Sequence, residues 1–198
     1  MKAQWLALIV AGAVLAQPAM AEDAPWQVRL RALRMQVDNG NSPNVGGAKV
    51  EINDKTFPEV DIAYNFSRNI AAELVLTYPQ KHDVLLQGNK IGTIKHLPPA
   101  LLLQYQFAPG GKINPYVGGG INYTRFMSAK LPAGITTDKG SFGPALQIGA
   151  DVEVGRNLYL NLDFKRVKID TDVKVAGAKL TTLKVDPNLI SVGIGWRF

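Results

Sequence analysis

The sequence predicts an all-β protein, an eight-stranded antiparallel transmembrane β-barrel of the bacterial outer membrane. Three observations carry this. Eight runs between Trp26 and Phe198 have about the ~9–11 residues a tilted membrane strand needs, and most alternate apolar with polar residues. The connections between them alternate in length, tight at one rim and long at the other. No segment after residue 21 approaches the ~18 consecutive apolar residues of a spanning helix, so a closed barrel is the remaining way to cross a bilayer.

Ahead of the strands, Lys2, the apolar run over residues 5–15 and Ala19-Met20-Ala21 read as a secretory signal peptide. Residues 1–21 are thus assigned to export, and residues 22–198 to one barrel domain without repeats or linkers. At 46% hydrophobic residues the composition is that of an alternating barrel averaged over its two faces. The absence of cysteine excludes disulfides and thiolate metal sites. A net charge of +6 on scattered basic residues argues against a nucleic-acid partner. The basic tilt suits solubility or the anionic head groups of outer-membrane lipids.

The first strand, residues 26–37, turns Trp26, Val28 and Leu30 outward and Gln27, Arg29 and Arg31 inward. Its apolar set then becomes Leu33, Met35 and Val37, so a β-bulge near Ala32 is expected, with Arg34 kept inside. The second, 57–66, sets Val60, Ile62, Tyr64 and Phe66 against Glu59, Asp61, Ala63 and Asn65. The third, 70–78, sets Leu74 and Leu76 against Glu73 and Thr77, and the fourth, 97–107, sets Leu101, Leu103, Tyr105 and Phe107 against Gln104 and Gln106. The fifth, 115–126, has Val117, Ile121 and Tyr123 outside and Gly118, Gly120, Asn122 and Thr124 inside. The sixth, 142–154, sets Leu146, Ile148, Val152 and Val154 against Gln147, Asp151 and Glu153. The seventh, 158–169, sets Leu160, Leu162 and Phe164 against Asn161, Asp163 and Lys165, with a second phase slip near Arg166. In the eighth, Ile190, Val192, Ile194, Trp196 and Phe198 alternate with Ser191, Gly193, Gly195 and Arg197.

Residues 67–69, 108–112 and 155–157 are the short turns, and 38–56, 79–96, 127–141 and 170–187 the long loops. Trp26, Phe66, Phe107, Trp196 and Phe198 then fall on the short-turn, periplasmic rim as an aromatic girdle.

Eight strands close around a lumen narrow enough for side chains to fill. The inward set holds Arg29, Arg31, Arg34, Lys165 and Arg197 against Glu59, Asp61, Glu73, Asp151, Glu153 and Asp163. It reads as a salt-bridged plug or, alternatively, as an ion path, since unpaired charges there are costly. Above it, Leu85, Leu86, Leu97, Leu102, Phe126 and Met127 either pack the outer rim or line a funnel for small apolar molecules. Pro98-Pro99 removes two ladder donors from a fold with no edge strand. The pair either starts and stiffens the fourth strand or leaves a lateral opening through which an apolar solute escapes into the membrane.

Several stretches carry a resemblance. They are Asp61-Ile62-Ala63-Tyr64, Asn69-Ile70-Ala71-Ala72-Glu73-Leu74, Lys95-His96-Leu97-Pro98-Pro99, residues 115–123, Val185-Asp186-Pro187 and Trp196-Arg197-Phe198. In these, over nearly the whole domain, the chain resembles the OmpW family of eight-stranded outer-membrane proteins, which includes alkane-uptake members. The resemblance implies passage of small hydrophobic molecules with lateral release into the membrane. It also implies that Trp196 and Phe198 form a signal read by the barrel-assembly machinery. The rival reading is a structural or receptor-type barrel with no transport. An enzyme is not expected. The only histidines, His82 and His96, lie in or beside one loop that has no serine to pair with them. Asp170-Thr171-Asp172 lacks the glycine and distal glutamate of a calcium loop, and Gly118-Gly119-Gly120 sits inside a strand, so no metal or cofactor is expected.

Overall fold

The computed structural model describes residues 25–38, 44–45 and 48–198. The export segment assigned to residues 1–21 lies outside the described residues. In chain order the strands are β1 (Trp26–Gln36), β2 (Asn44–Val45), β3 (Ala48–Ile52), β4 (Lys55–Asn65), β5 (Ile70–Thr77), β6 (Gln80–Leu86), β7 (Asn89–Leu97) and β8 (Ala100–Gln106). There follow β9 (Ile113–Lys130), β10 (Ile135–Thr137), β11 (Gly140–Gly155), β12 (Leu158–Val167), β13 (Asp170–Val175), β14 (Ala178–Lys184) and β15 (Asn188–Arg197).

Eight of these are staves of a closed antiparallel barrel, in the cyclic order β1-β4-β5-β8-β9-β11-β12-β15. Closure is tight at the lower rim, where Trp26 and Phe198 exchange both backbone hydrogen bonds at 3.0 and 2.8 Å. The segments expected as long loops are largely sheet. β7 pairs with the upper end of β9, and β6 and β3 extend the wall from it, while β10, β13 and β14 form a separate three-stranded flap. Two-residue turns explain this: Gln87-Gly88 and Ala176-Gly177 all have positive φ, the type I′ geometry that matches strand twist. The fourth strand is in turn cut in two, because β7 ends at Leu97 and β8 begins only at Ala100.

Neither expected phase slip occurs. β1 pairs with β15 and β4 in unbroken register, and β12 pairs with β15 likewise. Leu33 and Met35 are buried inside the lumen, whereas Arg34 is on the outer face with 60% of its side chain exposed. Val167 and Ile169 are inside in the same way, and Arg166 is outside. The alternation is continuous; the lumen itself changes from polar below to apolar above. That change of inner surface, with no extra residue, is what imitates a bulge in the sequence.

The outer face is the expected apolar belt. Leu103, Leu146, Leu162 and Val192 are 58–64% exposed, which only a hydrocarbon surrounding makes favourable over so large a surface. At the lower rim Trp26 packs edge-on against Tyr64 at 4.8 Å, Tyr64 against Phe66 at 5.1 Å, and Tyr105 against Phe107 at 5.2 Å. Phe198 is half-buried there rather than fully outward. Leu103→Arg should lower stability by about 2–4 kcal/mol in reversible folding into lipid. A loss below about 1 kcal/mol, the value near an interface, would place Leu103 away from the bilayer midplane.

Candidate functional site

The lower lumen is filled by one ionic network. Arg29 donates from Nη1 to Glu73 Oε1 at 2.9 Å and from Nη2 to Asp151 Oδ2 at 2.7 Å. Arg31 lies 2.9 Å from Asp61 Oδ2 and donates to Glu59 at 3.2 Å and Glu73 at 3.1 Å. Lys165 Nζ bridges Glu59 and Asp163, both at 2.8 Å. All these side chains are at most 1% exposed, so no water screens them.

Three cations thus face five carboxylates, and neutral donors make up part of the difference. Gln104 and Gln147 donate to Glu73 Oε2 at 2.8 and 2.7 Å, and the Tyr116 hydroxyl donates to Asp163 at 2.8 Å. Tyr116 carries no charge to mark it in the sequence, but its parity opposite to outward Val117 places it inside. Its ring has room because Gly149 lies directly across the β9–β11 ladder, where any Cβ would strike the ring.

Two residues expected in the network stand at its margin, and one is outside it. Arg197 donates to Gln27 at 3.3 Å and lies over the Tyr159 ring at 5.2 Å, while Glu153 is half-buried at the lower mouth. Arg34 is not in the lumen: the unbroken register of β1 turns it outward, 3.8 Å from Asp54.

Above Glu59 and Lys165 the lumen is apolar. A lower compartment is walled by Leu33, Phe57, Val75, Val167 and Leu189, and an upper one by Ile52, Ile94, Phe126, Leu183 and Val185. Met35, His96 and Ile169 line both and form the constriction between them. Each compartment leaves only about 20 Å³ free, room for roughly one water. Of the residues expected in a funnel, Leu102 is buried in the apolar core and Phe126 lines the upper compartment. The other four do not line it. Met127 is the extra residue of a bulge where the β7–β9 ladder shifts, and is 51% exposed. Leu97 follows inward His96 and so faces out, and Leu85 and Leu86 belong to the far end of β6, beyond both compartments.

The fold brings together His82 and His96, which form no motif in the sequence. Their rings pack edge-on at 4.9 Å, and His96 stacks near Phe126 at 6.3 Å. His82 Nδ1 is 3.0 Å from the Asn53 carbonyl. Burial pushes the His82 imidazole below its usual range. Burial, beside His82 and Lys55, pushes His96 down to about 3. Both are neutral at physiological pH.

Beside this chamber the wall is unstitched. The β5–β8 ladder stops at Val75↔Ala100 and the β6–β7 ladder starts at Gln80↔His96, leaving residues 76–79 and 97–99 without a ladder between them. On the other side of the same segment, β4–β5 ends at Glu59↔Thr77 and β3–β6 resumes at Ile52↔Val84. Side chains stand in for the missing backbone partners. Gln80 Nε2 donates to the Tyr78 carbonyl at 2.9 Å, and Lys55 Nζ to the Lys81 carbonyl at 3.0 Å. The gap is therefore centred on Tyr78-Pro79, with Pro58 and Pro98-Pro99 on the flanking strands. Toward β9 the wall is bonded, since the Pro99 carbonyl accepts from Tyr123 N at 3.1 Å and Asn122 Nδ2 at 2.8 Å. Pro98 and Thr77 line the lower compartment from the gap. Pro58 and Pro79 are the sequence signals for the second interruption, since neither can donate to a ladder.

The OmpW family profile matches residues 25–198. Outer-membrane protein y4mB of Sinorhizobium fredii is 38% identical over 88% of this chain and 80% of its own. The dibenzothiophene metabolism operon protein PahQ of Pseudomonas aeruginosa is 28% identical over 93% of each chain. Among solved structures, OprG of Pseudomonas aeruginosa superposes with a TM-score of 0.72 at 25% identity, covering 88% of this chain and 96% of its own. AlkL in lipid bilayers gives 0.70 at 25% identity, covering 92% and 94%.

The network and the outward arginine give opposite expectations. Arg31→Met strips buried carboxylates of their cation and should destabilise the barrel by about 3–5 kcal/mol. Arg34→Met removes an exposed pair and should change stability by less than about 1 kcal/mol. Equal losses in parallel denaturant titrations would overturn the placement of Arg34.

Proposed function

The chain belongs to the OmpW family and is an outer-membrane barrel, and we propose that it passes small hydrophobic molecules from outside the cell laterally into the membrane. The observation that carries the reading is the coincidence of an apolar chamber, an ionic floor beneath it and an interrupted wall beside it. The floor denies an apolar solute any route down the lumen, because entry would separate buried ion pairs. The wall offers another route, since its bonds at Tyr78 and Lys81 are made by side chains that can swing away. The relative PahQ, named for an operon of dibenzothiophene metabolism, agrees, since dibenzothiophene is an apolar aromatic compound. Passage requires Met35, His96 and Ile169 to move, because the chamber at rest is nearly full.

That fullness favours a second reading, a structural or receptor-type barrel whose outer lumen conducts nothing. Replacing Pro98 and Pro99 together by valine separates the two. It restores two backbone donors, worth roughly 0.5–1.5 kcal/mol each when paired. If the solute leaves through the gap, uptake of small apolar solutes into cells should fall while the barrel stays at least as stable. Undiminished uptake by the folded, surface-exposed variant removes lateral release. A native protein that moves no apolar solute faster than empty membranes leaves the second reading.

The C-terminal aromatics belong to biogenesis in this proposal, with Trp196 and Phe198 contacting the barrel-assembly machinery. Because Phe198 also bonds Trp26 through its backbone, Phe198→Ala is the cleaner variant, as it keeps those bonds. Its surface level in cells should fall severalfold while the purified protein still folds into detergent. Normal surface levels would reduce Phe198 to a rim residue.

A further inference from the structure

The upper compartment carries polar atoms that an apolar conduit does not need. His82, His96 and Thr171 are 2%, 4% and 3% exposed, and line the same compartment as Met35, Ile94 and Phe126. His82 Nε2, His96 Nε2 and Thr171 Oγ1 have no hydrogen-bond partner among the described residues. Leaving a buried polar atom unsatisfied is costly, and leucine would fill the same space without that cost.

The chemistry of the pair can be read from one contact. A carbonyl oxygen only accepts, so the His82 Nδ1 that meets the Asn53 carbonyl at 3.0 Å carries the proton. In a neutral ring Nε2 is then a bare acceptor, held inside an apolar compartment. No third histidine, cysteine or carboxylate joins the two imidazoles in a metal-holding group among the described residues. The free space beside them, about 20 Å³, suits a hydroxyl group. Position completes the argument: His96 lines both compartments and stands two residues before Pro98, at the gap in the wall.

We propose that His82, His96 and Thr171 form a recognition point for apolar molecules bearing one hydrogen-bond donor, such as alcohols and phenols, in preference to bare hydrocarbons. This rests on the transport reading and names the substrate class of the same chamber. The hydroxyl donates to His82 Nε2 and accepts from Thr171 or His96, while the hydrocarbon tail lies against Phe126, Met35 and Ile169. The ring of a phenol can also stack where His96 and Phe126 already lie nearly parallel, 21° apart.

The chain has two histidines, so ¹⁵N-histidine-labelled, untagged protein in nanodiscs reports on this site alone. It is titrated with 1-octanol and n-octane, compared at equal concentration in the membrane. Octanol should shift both imidazole spectra saturably and bind about three- to tenfold more tightly than octane, the range one hydrogen bond supplies. His82→Leu removes the acceptor and should bring octanol to the affinity of octane; His82→Gln, which keeps a donor and an acceptor, should retain part of the preference. Equal binding of the two probes, or a preference that survives His82→Leu, overturns the proposal while the transport reading stands. Binding of neither probe overturns both.

Discussion

Everything in this barrel follows from the narrowness of an eight-strand closure. With no continuous water column inside, each inward side chain must find its partners within the lumen or be apolar. The lower half takes the first course and the upper half the second. Arg29, Arg31 and Lys165 are held among carboxylates with almost no exposure, so each cation is also the counter-charge that lets its neighbours stay buried. Such a network adds little net stability over a well-packed apolar core. What it adds is a barrier, because an apolar molecule passing through would leave ions unpaired.

The staves were legible because lipid outside and side chains inside impose a period of two, and that period runs unbroken in β1 and along the β12–β15 ladder. The composition of the inner face was harder to read. At Leu33, Met35 and Val167 the inward residues turn apolar, so the outward ones are recognisable only by keeping count from Trp26 or Leu158. Doing so places Arg34 and Arg166 outside, where their guanidinium groups reach Asp54 and Asp38. The extension above the staves was misread for a related reason. Gln87-Gly88 and Ala176-Gly177 are good hairpin turns, but the strands around them carry lysine, aspartate and threonine and so resemble loops in composition.

The lateral gap was half legible. Pro98-Pro99 marks it in sequence, since proline cannot donate to a ladder. The register that brings Tyr78-Pro79 between two interrupted ladders is a property of the closed sheet and cannot be read from any one strand. The histidines were hidden for a different reason. One histidine in each of two neighbouring strands has no motif, and His82 and His96 become a pair only when the Gln80↔His96 register sets their strands side by side.

The gap and the ionic floor depend on each other. A barrel with missing backbone bonds is at risk of opening along its whole height, since each stave holds the next. Here the interruption begins above the level where β4, β5 and β8 carry Glu59, Glu73 and Gln104. Below that level Arg31 joins β1 to β5, Gln147 joins β11 to β5, and Lys165 joins β12 to β4. These are bonds across the lumen rather than along the wall, and they hold non-adjacent staves together where the neighbouring ladders are also complete. The floor can therefore anchor the barrel while the wall above it loosens, and it keeps that loosening from reaching the periplasmic mouth. Stability concentrated in one half is what permits flexibility in the other.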